Sequence, residues 1–163
     1  MPNASSTPHE CVIRVVQPST LQDLIVHFTN NTVAANSALR GVTLANSSSS
    51  TPLIFLCYNS IIYYNSTSLT DISIHDQNAQ TPSDLEVDYS NTEQGGFGGT
   101  SISDDPEFVS STDLRLDSGS PCIDAGDDNL WDIILADALI PDTDLDGNTR
   151  IQGSRIDMGC YED

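Results

Sequence analysis

The feature that most constrains the fold is an internal repeat of about 30 residues. Residues 28–36 read FTNNTVAAN and residues 57–65 read CYNSIIYYN, so that Asn30 and Asn36 of the first segment recur 29 positions later. A third segment, DYSNTEQ, follows from Asp88. Several short strands within such a period are typical of a β-solenoid, in which coils stack and bury equivalent apolar positions.

Short apolar runs between these polar motifs predict about three strands in each repeat. Asparagine suits the turns between them, because it tolerates the left-handed backbone conformation and bonds to the asparagine one coil above. A chance match in a chain rich in asparagine and serine is the alternative, but the apolar inserts favour an all-β solenoid of about three coils. The predicted strands are Cys11–Val16, Leu21–Phe28, Gly41–Ala45, Pro52–Leu56, Asp71–His75 and Leu85–Asp88.

Charge excludes several classes of partner. The 163 residues hold 24 Asp and Glu against five basic residues, all of them arginine, for a net charge of −19. A chain of this charge repels nucleic acid and anionic membranes, since both carry phosphate. No apolar run approaches the ~18 residues of a membrane helix, so no membrane insertion is expected. The acidity indicates either solubility or a high-salt habitat, or else the binding of divalent cations.

The end of the chain carries motifs in a fixed order. They are DPEFV at 105–109, LDSGSPCIDAGD at 116–127, DLDGNTRI at 144–151 and DMGCYE at 157–162. These motifs resemble DPLFV, LxxGSPxIDAGD, DLDGNPRI and DMGAYE of the choice-of-anchor Q domain. That domain is a C-terminal module of bacterial surface proteins, related in look to polymorphic outer-membrane proteins.

The resemblance covers about residues 28–162 and implies a fold and a location. The fold is a right-handed parallel β-helix of the pectin-lyase-like kind with a C-terminal capping module, and the location is extracellular or at the cell surface. We expect a flexible lead segment over residues 1–10, β-helix coils over 11–100 and the capping module over 101–163. Glu107 departs from the family motif, which has an apolar residue there, and Thr149 replaces a proline.

Further elements are predicted within the closing motifs. Phe108–Val109 and Leu114–Leu116 are strand candidates, and Arg155–Tyr161 is expected to be a last strand. The longer insert from Asn129 to Ile140 predicts one short helix, capped by Asp128 or Asn129 and packed against the end of the solenoid. An irregular apolar loop is the alternative for this insert.

The best candidate for a metal site is the run DTDLDG at 142–147. Alternating carboxylates followed by a glycine converge on one hard cation such as calcium. Gly153 stands where an EF-hand needs glutamate, so Asp157 or Asp127 would have to complete the shell. The predicted ligands are Asp142, Asp144, Asp146 and Asp157. The alternative is a turn in which these carboxylates accept backbone amides.

The four cysteines do not have the spacing of a zinc site, because no CxxC pair occurs and no histidine lies at ligand spacing. Cys57 lies in an apolar run and is expected to be a small buried hydrophobic residue. Cys122 and Cys160 each belong to a closing motif. They form a disulfide candidate if the protein is extracellular.

Signals of catalysis are weak. None of His9, His27 and His75 lies in a recognisable motif, and paired carboxylates are expected by chance among so many acids. The leading hypothesis is therefore a non-catalytic structural or binding module of a secreted or cell-surface β-helix protein. The alternative is a fragment of a glycan-active β-helix enzyme, a polysaccharide lyase or hydrolase, whose catalytic coils lie upstream. The expected partners are upstream β-helix coils or another copy at an open N-terminal edge, and a glycan.

Overall fold

The structure is a computed structural model that describes residues 12–17, 22–36, 40–48, 50–65, 72–76, 84–129 and 143–163. These residues are almost entirely strands and turns, so the predicted all-β class is confirmed. The strands are β1 (Ile13–Gln17), β2 (Leu24–Thr29), β3 (Thr32–Ala34), β4 (Val42–Asn46), β5 (Leu53–Tyr58), β6 (Ile61–Tyr63), β7 (Ile72–Asp76), β8 (Asp84–Asp88), β9 (Asn91–Thr92), β10 (Phe108–Ser110) and β11 (Asp113–Leu116).

The first nine strands form three parallel sheets, and the chain visits them in the same order three times. The sheets have the orders β1-β4-β7, β2-β5-β8 and β3-β6-β9. In the first step Ile13 pairs with Val42, an offset of 29 residues, and in the second Val42 pairs with Ile72, an offset of 30. The other two sheets have the same offsets. The period found in the sequence is therefore the pairing register of the sheets.

The main core lies between these sheets and is densest in the middle repeat. Alternate side chains of β4 and β5 face inward, as the period-2 geometry of strands requires. Fully buried there, at 0% exposure, are Val42, Leu44, Leu53, Phe55 and Cys57. Their register partners in the first repeat are only half-buried and are Ile13, Val15, Leu24, Val26 and Phe28. Burial of each large side chain contributes about 1.5–3 kcal/mol.

Asparagines make the first of the two turns in the first and second repeats, as the repeat predicted, whereas Ala35 and Tyr64 have the left-handed conformation at the second turn. Asn30 and Asn59, which follow β2 and β5, have φ of 54° and 48°. This left-handed conformation is one that asparagine adopts more readily than most residues. Six positions further along the repeat, the Asn36 side-chain amide donates to the side-chain carbonyl of Asn65 at 2.9 Å. The expected bond between asparagines of neighbouring repeats is present.

The residues 101–129 and 143–163, called here the closing region, share a second hydrophobic cluster with β6, in which Ile61 and Tyr63 pack with Leu116, Cys122 and Met158. Its hairpin pairs β10 and β11 in antiparallel fashion, with Phe108 opposite Leu116, so both predicted strands are confirmed. The predicted last strand at 155–161 is wrong. The amides of Arg155 and Ile156 donate to the Asp124 and Asp128 carboxylates instead of to a neighbouring strand.

Other predictions fall on parts of the chain that the structure does not describe. The predicted helix lies in residues 130–142, and the lead segment 1–10 lies before the first described residue. The Asp128 carboxylate, one of the two expected helix caps, accepts the Ile156 amide at 2.8 Å. Within the described residues, no helix has the length and apolar character needed to cross a membrane.

Candidate functional site

The closing region is held together by carboxylates that accept backbone amides. Asp144 is buried, and its Oδ1 accepts the amides of Asp146 and Asn148 at 3.0 and 2.7 Å. Its Oδ2 accepts the Glu162 amide at 3.1 Å and the Asn148 side chain at 3.2 Å. Burial by itself raises the pKa of Asp144, but these hydrogen bonds outweigh burial and lower the pKa. The loop is thus ordered by its own aspartate.

Two further aspartates tie the motifs to one another. Asp157 Oδ1 accepts the Asp124 amide at 2.7 Å, and Asp157 Oδ2 accepts the Asp163 amide at 2.9 Å. In turn, Asp124 Oδ1 accepts the amides of Ser154 and Arg155 at 2.6 and 2.9 Å. The Arg155 amide lowers the pKa of Asp124, whereas burial raises the pKa of Asp157. The second and fourth closing motifs are therefore cross-linked by side-chain-to-backbone bonds.

A buried ion pair completes this network. Arg150 Nη1 lies 3.2 Å from Glu162 Oε1 and also donates to the Gly159 carbonyl at 3.0 Å. Glu162 Oε2 accepts the Asp157 amide at 3.1 Å. Burial, with the nearby Asp157 charge, raises the pKa of Glu162 to about 7 despite the Arg150 guanidinium. Glu162 therefore titrates near neutrality inside the closing region.

The closing region contacts all three repeats. The Cys160 amide donates to Thr32 Oγ1 at 3.1 Å in the first repeat. In the second repeat, Asn59 bonds both backbone groups of Asp127, accepting its amide at 2.9 Å and donating to its carbonyl at 3.2 Å. In the third, the Asn91 side-chain amide donates to the Asp104 carbonyl at 2.8 Å. The closing region therefore clamps the stack of repeats along one side.

The predicted calcium ligands are only partly brought together. Glu162 links Asp144 and Asp157, because its amide donates to the Asp144 carboxylate and its own carboxylate accepts the Asp157 amide. Asp146 lies on the surface, where its Oδ2 is 2.7 Å from Arg115 Nε. Asp142 lies outside the described residues. Among the residues that the structure does describe, no group of three His, Cys, Asp or Glu side chains is placed to hold a metal ion. Asp144 forms the amide-accepting turn that was the alternative, and calcium binding stays a prediction.

The cysteines of the described region are free thiols. Cys57 is fully buried as expected, and burial raises its pKa to about 12. Cys122 Sγ accepts the Asn91 side-chain amide at 3.1 Å, next to β9, whereas the Cys160 amide bonds to Thr32 of β3. β3 and β9 are the two outer strands of one sheet. The disulfide between Cys122 and Cys160 is not formed in this structure, and its formation outside the cell stays a prediction.

A cavity of about 320 Å³ opens where the repeats meet the closing hairpin. Its lining comprises Ala35, Tyr64, Asp105, Glu107, Phe108, Ser110 and Ser111. Tyr64 is 46% exposed. Interaction of its hydroxyl with the Asp105 carboxylate raises the pKa of Tyr64 to about 12 and lowers that of Asp105. Asp105 is therefore ionised across the physiological range.

Backbone strain is concentrated around this cavity. Ala35, Tyr64 and Glu107 have φ of 56°, 55° and 50°, in the left-handed region that bulky residues rarely adopt. Glu93 supports the Tyr64 turn, since its Oε2 accepts the Tyr64 amide at 3.1 Å. Our sequence reasoning did not identify Tyr64 or Glu107 as site residues. The sequence did contain one indication of this site. Glu107 occupies a position at which the similar motif of the choice-of-anchor Q domain has an apolar residue.

Comparison of the chain with protein-family models, curated proteins and solved structures finds no match in any of the three. The resemblance of the closing motifs to a choice-of-anchor Q domain therefore stays a prediction.

Proposed function

We propose that the chain is a non-catalytic structural module: a right-handed parallel β-helix of about three coils, closed by a capping module at its C-terminal end. The observation that carries this proposal is the constant register, in which equivalent strands of three sheets pair at offsets of 29 and then 30 residues. Stacked coils of a solenoid have such a register, because each repeat contacts only its neighbours.

The first repeat supports a stacking role for the opposite end. Its inward-facing side chains Ile13 and Leu24 are half-buried, whereas their register partners Val42 and Leu53 are 0% exposed. On β2, the exposed Ile25 adds apolar surface at 52% exposure. A further coil placed on this edge would bury these groups as the second repeat buries its own. We propose upstream β-helix coils or another copy of the chain as the partner there.

Three aspartates of the closing region support the structural hypothesis over the glycan-active enzyme. Backbone amides of the closing region donate to the carboxylates of Asp124, Asp144 and Asp157. A glycosidase needs a pair of carboxyl groups free to face a sugar. The proposed setting remains a secreted or cell-surface protein, with a glycan as a candidate ligand.

The edge proposal is tested by a proline in β2. The amides of Leu24 and Asn30 donate to the β5 side, so by alternation the amides of Ile25 and His27 point to the side of β2 on which the described residues place no strand. Ile25→Pro removes an edge donor and no bond within the sheet, whereas the matched control Ile25→Thr keeps the amide. We expect concentration-dependent association of the wild type and Ile25→Thr in sedimentation velocity, and a monomer for Ile25→Pro.

Hydrogen exchange of the edge amides separates the two partners. A monomeric chain in which Ile25 and His27 exchange rapidly rejects another copy as the partner and leaves preceding coils as the proposal. Slow exchange of both amides in the dilute monomer would mean that the edge is already covered, and would overturn the proposal.

Calcium is proposed only as a stabiliser of the closing region. Thermal unfolding in calcium and in a chelator tests it, since a ligand that binds only the folded state raises Tm. A rise supports the site that the sequence predicts at Asp142, Asp144, Asp146 and Asp157. An unchanged Tm rejects that site and leaves the aspartates as acceptors of backbone amides.

A further inference from the structure

We propose that the cavity between Tyr64 and the closing hairpin binds an organic cation, an alkylammonium group. The inference goes beyond the structural role proposed above, because it concerns a ligand site and requires neither an upstream coil nor a second copy. Its basis is the combination of aromatic and apolar walls with carboxylates in one small cavity.

The walls of the cavity match the two parts of an alkylammonium ion. Tyr64, Phe108 and Ala35 supply aromatic and aliphatic surface for the alkyl chain, and Tyr64 is 46% exposed. Asp105 and Glu107 supply negative charge, and no basic residue lines the cavity. A cation near an aromatic ring is attracted by the ring quadrupole, and nearby carboxylates add Coulomb attraction.

None of the residues that line the cavity supplies a cation for these carboxylates. Five arginines face 24 acidic residues, and lysine is absent. Of the described arginines, Arg115 already pairs with Asp113 and Asp146, and Arg150 pairs with Glu162. The net charge of −19 raises the local concentration of cations around the molecule and steers them toward acidic cavities.

The size and polarity of the cavity select an organic head group over the other candidates. A hard metal ion needs about six to eight oxygen ligands, whereas this lining contains two carboxylates among apolar walls. At about 320 Å³ the cavity lies at the small end of ligand sites, which suits a head group better than several sugar rings. A sugar hydroxyl also donates to a carboxylate, so the titration below includes a neutral sugar.

Calorimetric titration of the full chain tests the proposal. The probes are Nα-acetyl-lysine methylamide, its trimethylated form, the neutral analogue Nα-acetyl-norleucine methylamide, and cellobiose. We expect the two cationic probes to bind, the two neutral ones not to bind, and the affinity to fall as salt is raised. Putrescine and a lysine-containing peptide, titrated side by side, distinguish a free amine from a partner's side chain.

Three variants locate the site. Tyr64→Asn removes the ring and keeps a residue that tolerates the left-handed φ, and we expect it to weaken binding roughly five- to tenfold. Glu107→Gln leaves the side-chain shape unchanged and should weaken binding by a similar factor. The matched control is Asp84→Asn, which removes one charge at an exposed position outside the lining and should leave affinity unchanged.

Circular dichroism checks that each variant is folded before it is titrated. The proposal is overturned if the norleucine probe binds as well as the lysine probes, or if Tyr64→Asn and Glu107→Gln both bind as the wild type does. Salt-independent binding of cellobiose would assign the cavity to a neutral sugar instead. Absence of any binding by all the probes would also reject the site.

Discussion

At the scale of single residues, Asn30 and Asn59 form a natural pair for comparison. Both follow a strand at the same position of the repeat, both are buried, and both have positive φ. They differ in what the carboxamide does. Asn59 bonds the amide and the carbonyl of Asp127, whereas neither polar atom of the Asn30 side chain has a hydrogen-bond partner. Asn30 therefore contributes only to its turn, whereas Asn59 contributes to its turn and also holds the closing region against the second repeat.

This difference predicts unequal costs for the same substitution. Glycine suits both turns, so Asn59→Gly should destabilise the protein by roughly 2–4 kcal/mol, since two hydrogen bonds are lost and Asp127 keeps unpaired backbone groups. Asn30→Gly should cost less than about 1 kcal/mol, because no hydrogen bond is lost. Urea unfolding of both variants measures the difference. Equal losses would mean that the bonds to Asp127 contribute nothing to stability.

The sequence predicted the residues that act locally and missed those that act across the chain. The turn asparagines follow from the repeat, because a left-handed turn is a local requirement. Asp124 and Asp157 were visible as acidic motif residues, but their bond joins positions 33 residues apart, and spacing does not reveal it. Tyr64 and Glu107 likewise meet only when the hairpin folds against the second repeat.

At the scale of elements, the pairing register indicates which connections between strands tolerate an extra residue and which do not. The first two repeats match position for position over their strands, at an offset of 29 residues. The offset becomes 30 only after β6, so one extra residue is accommodated between β6 and β7. The turn between β5 and β6, by contrast, has the same two residues in length as the turn between β2 and β3.

A single inserted glycine tests this distinction. After Asn65, in the connection that already varies, it should cost less than about 1 kcal/mol, because lengthening a loop adds little closure entropy. After Asn59 it should cost several kcal/mol, since a shift of one residue turns the buried Ile62 side chain of β6 toward the opposite face. The two insertion variants control for each other in chemical denaturation. Similar costs would contradict a fixed register in the third sheet.

The sequence predicted the strands of the repeats with nearly correct ends, but the last predicted strand was wrong. Alternating apolar residues placed β4 and β5 within two residues of their ends, because burial against neighbouring repeats agrees with local propensity. At 155–161 a partly apolar segment with bends is held by the Asp124 and Asp128 carboxylates and by single backbone bonds to Cys122 and Gly126, and it forms no strand. Propensity does not distinguish these two sources of hydrogen bonds.

At the scale of the whole molecule, stability should depend on pH in two opposite ways. The pKa of Glu162 is raised from 4.5 to about 7 in the folded state, so the folded protein holds a proton that the unfolded chain has released. The stability from this group is fully present below pH 4.5 and is lost as the pH rises through 7. Asp124 and Asp144 have lowered pKa values, so their contributions are lost as the pH falls below their usual range.

Substitution of Glu162 tests the first of these two effects. Glu162→Gln keeps the shape of the side chain and removes its titration beside Arg150, Asp144 and Asp157. We expect the loss of stability between pH 4.5 and 7, the interval between the two pKa values of Glu162, to become smaller in this variant. Glu86→Gln, at an exposed position of β8, should leave the profile unchanged. Parallel profiles for wild type and Glu162→Gln, followed by thermal unfolding, would reject the assignment.

The contacts of the closing region with the three repeats also affect the order in which the chain folds. The contact between Cys160 and Thr32 joins residues 128 positions apart, whereas neighbouring repeats pair at offsets of 29 or 30. Contacts distant in sequence form more slowly than near ones. On a ribosome, the first repeats have emerged long before Cys160 has been synthesised. The repeats therefore have to stay folded during synthesis without the contacts of the closing region. Once formed, those contacts slow the unfolding of the repeats.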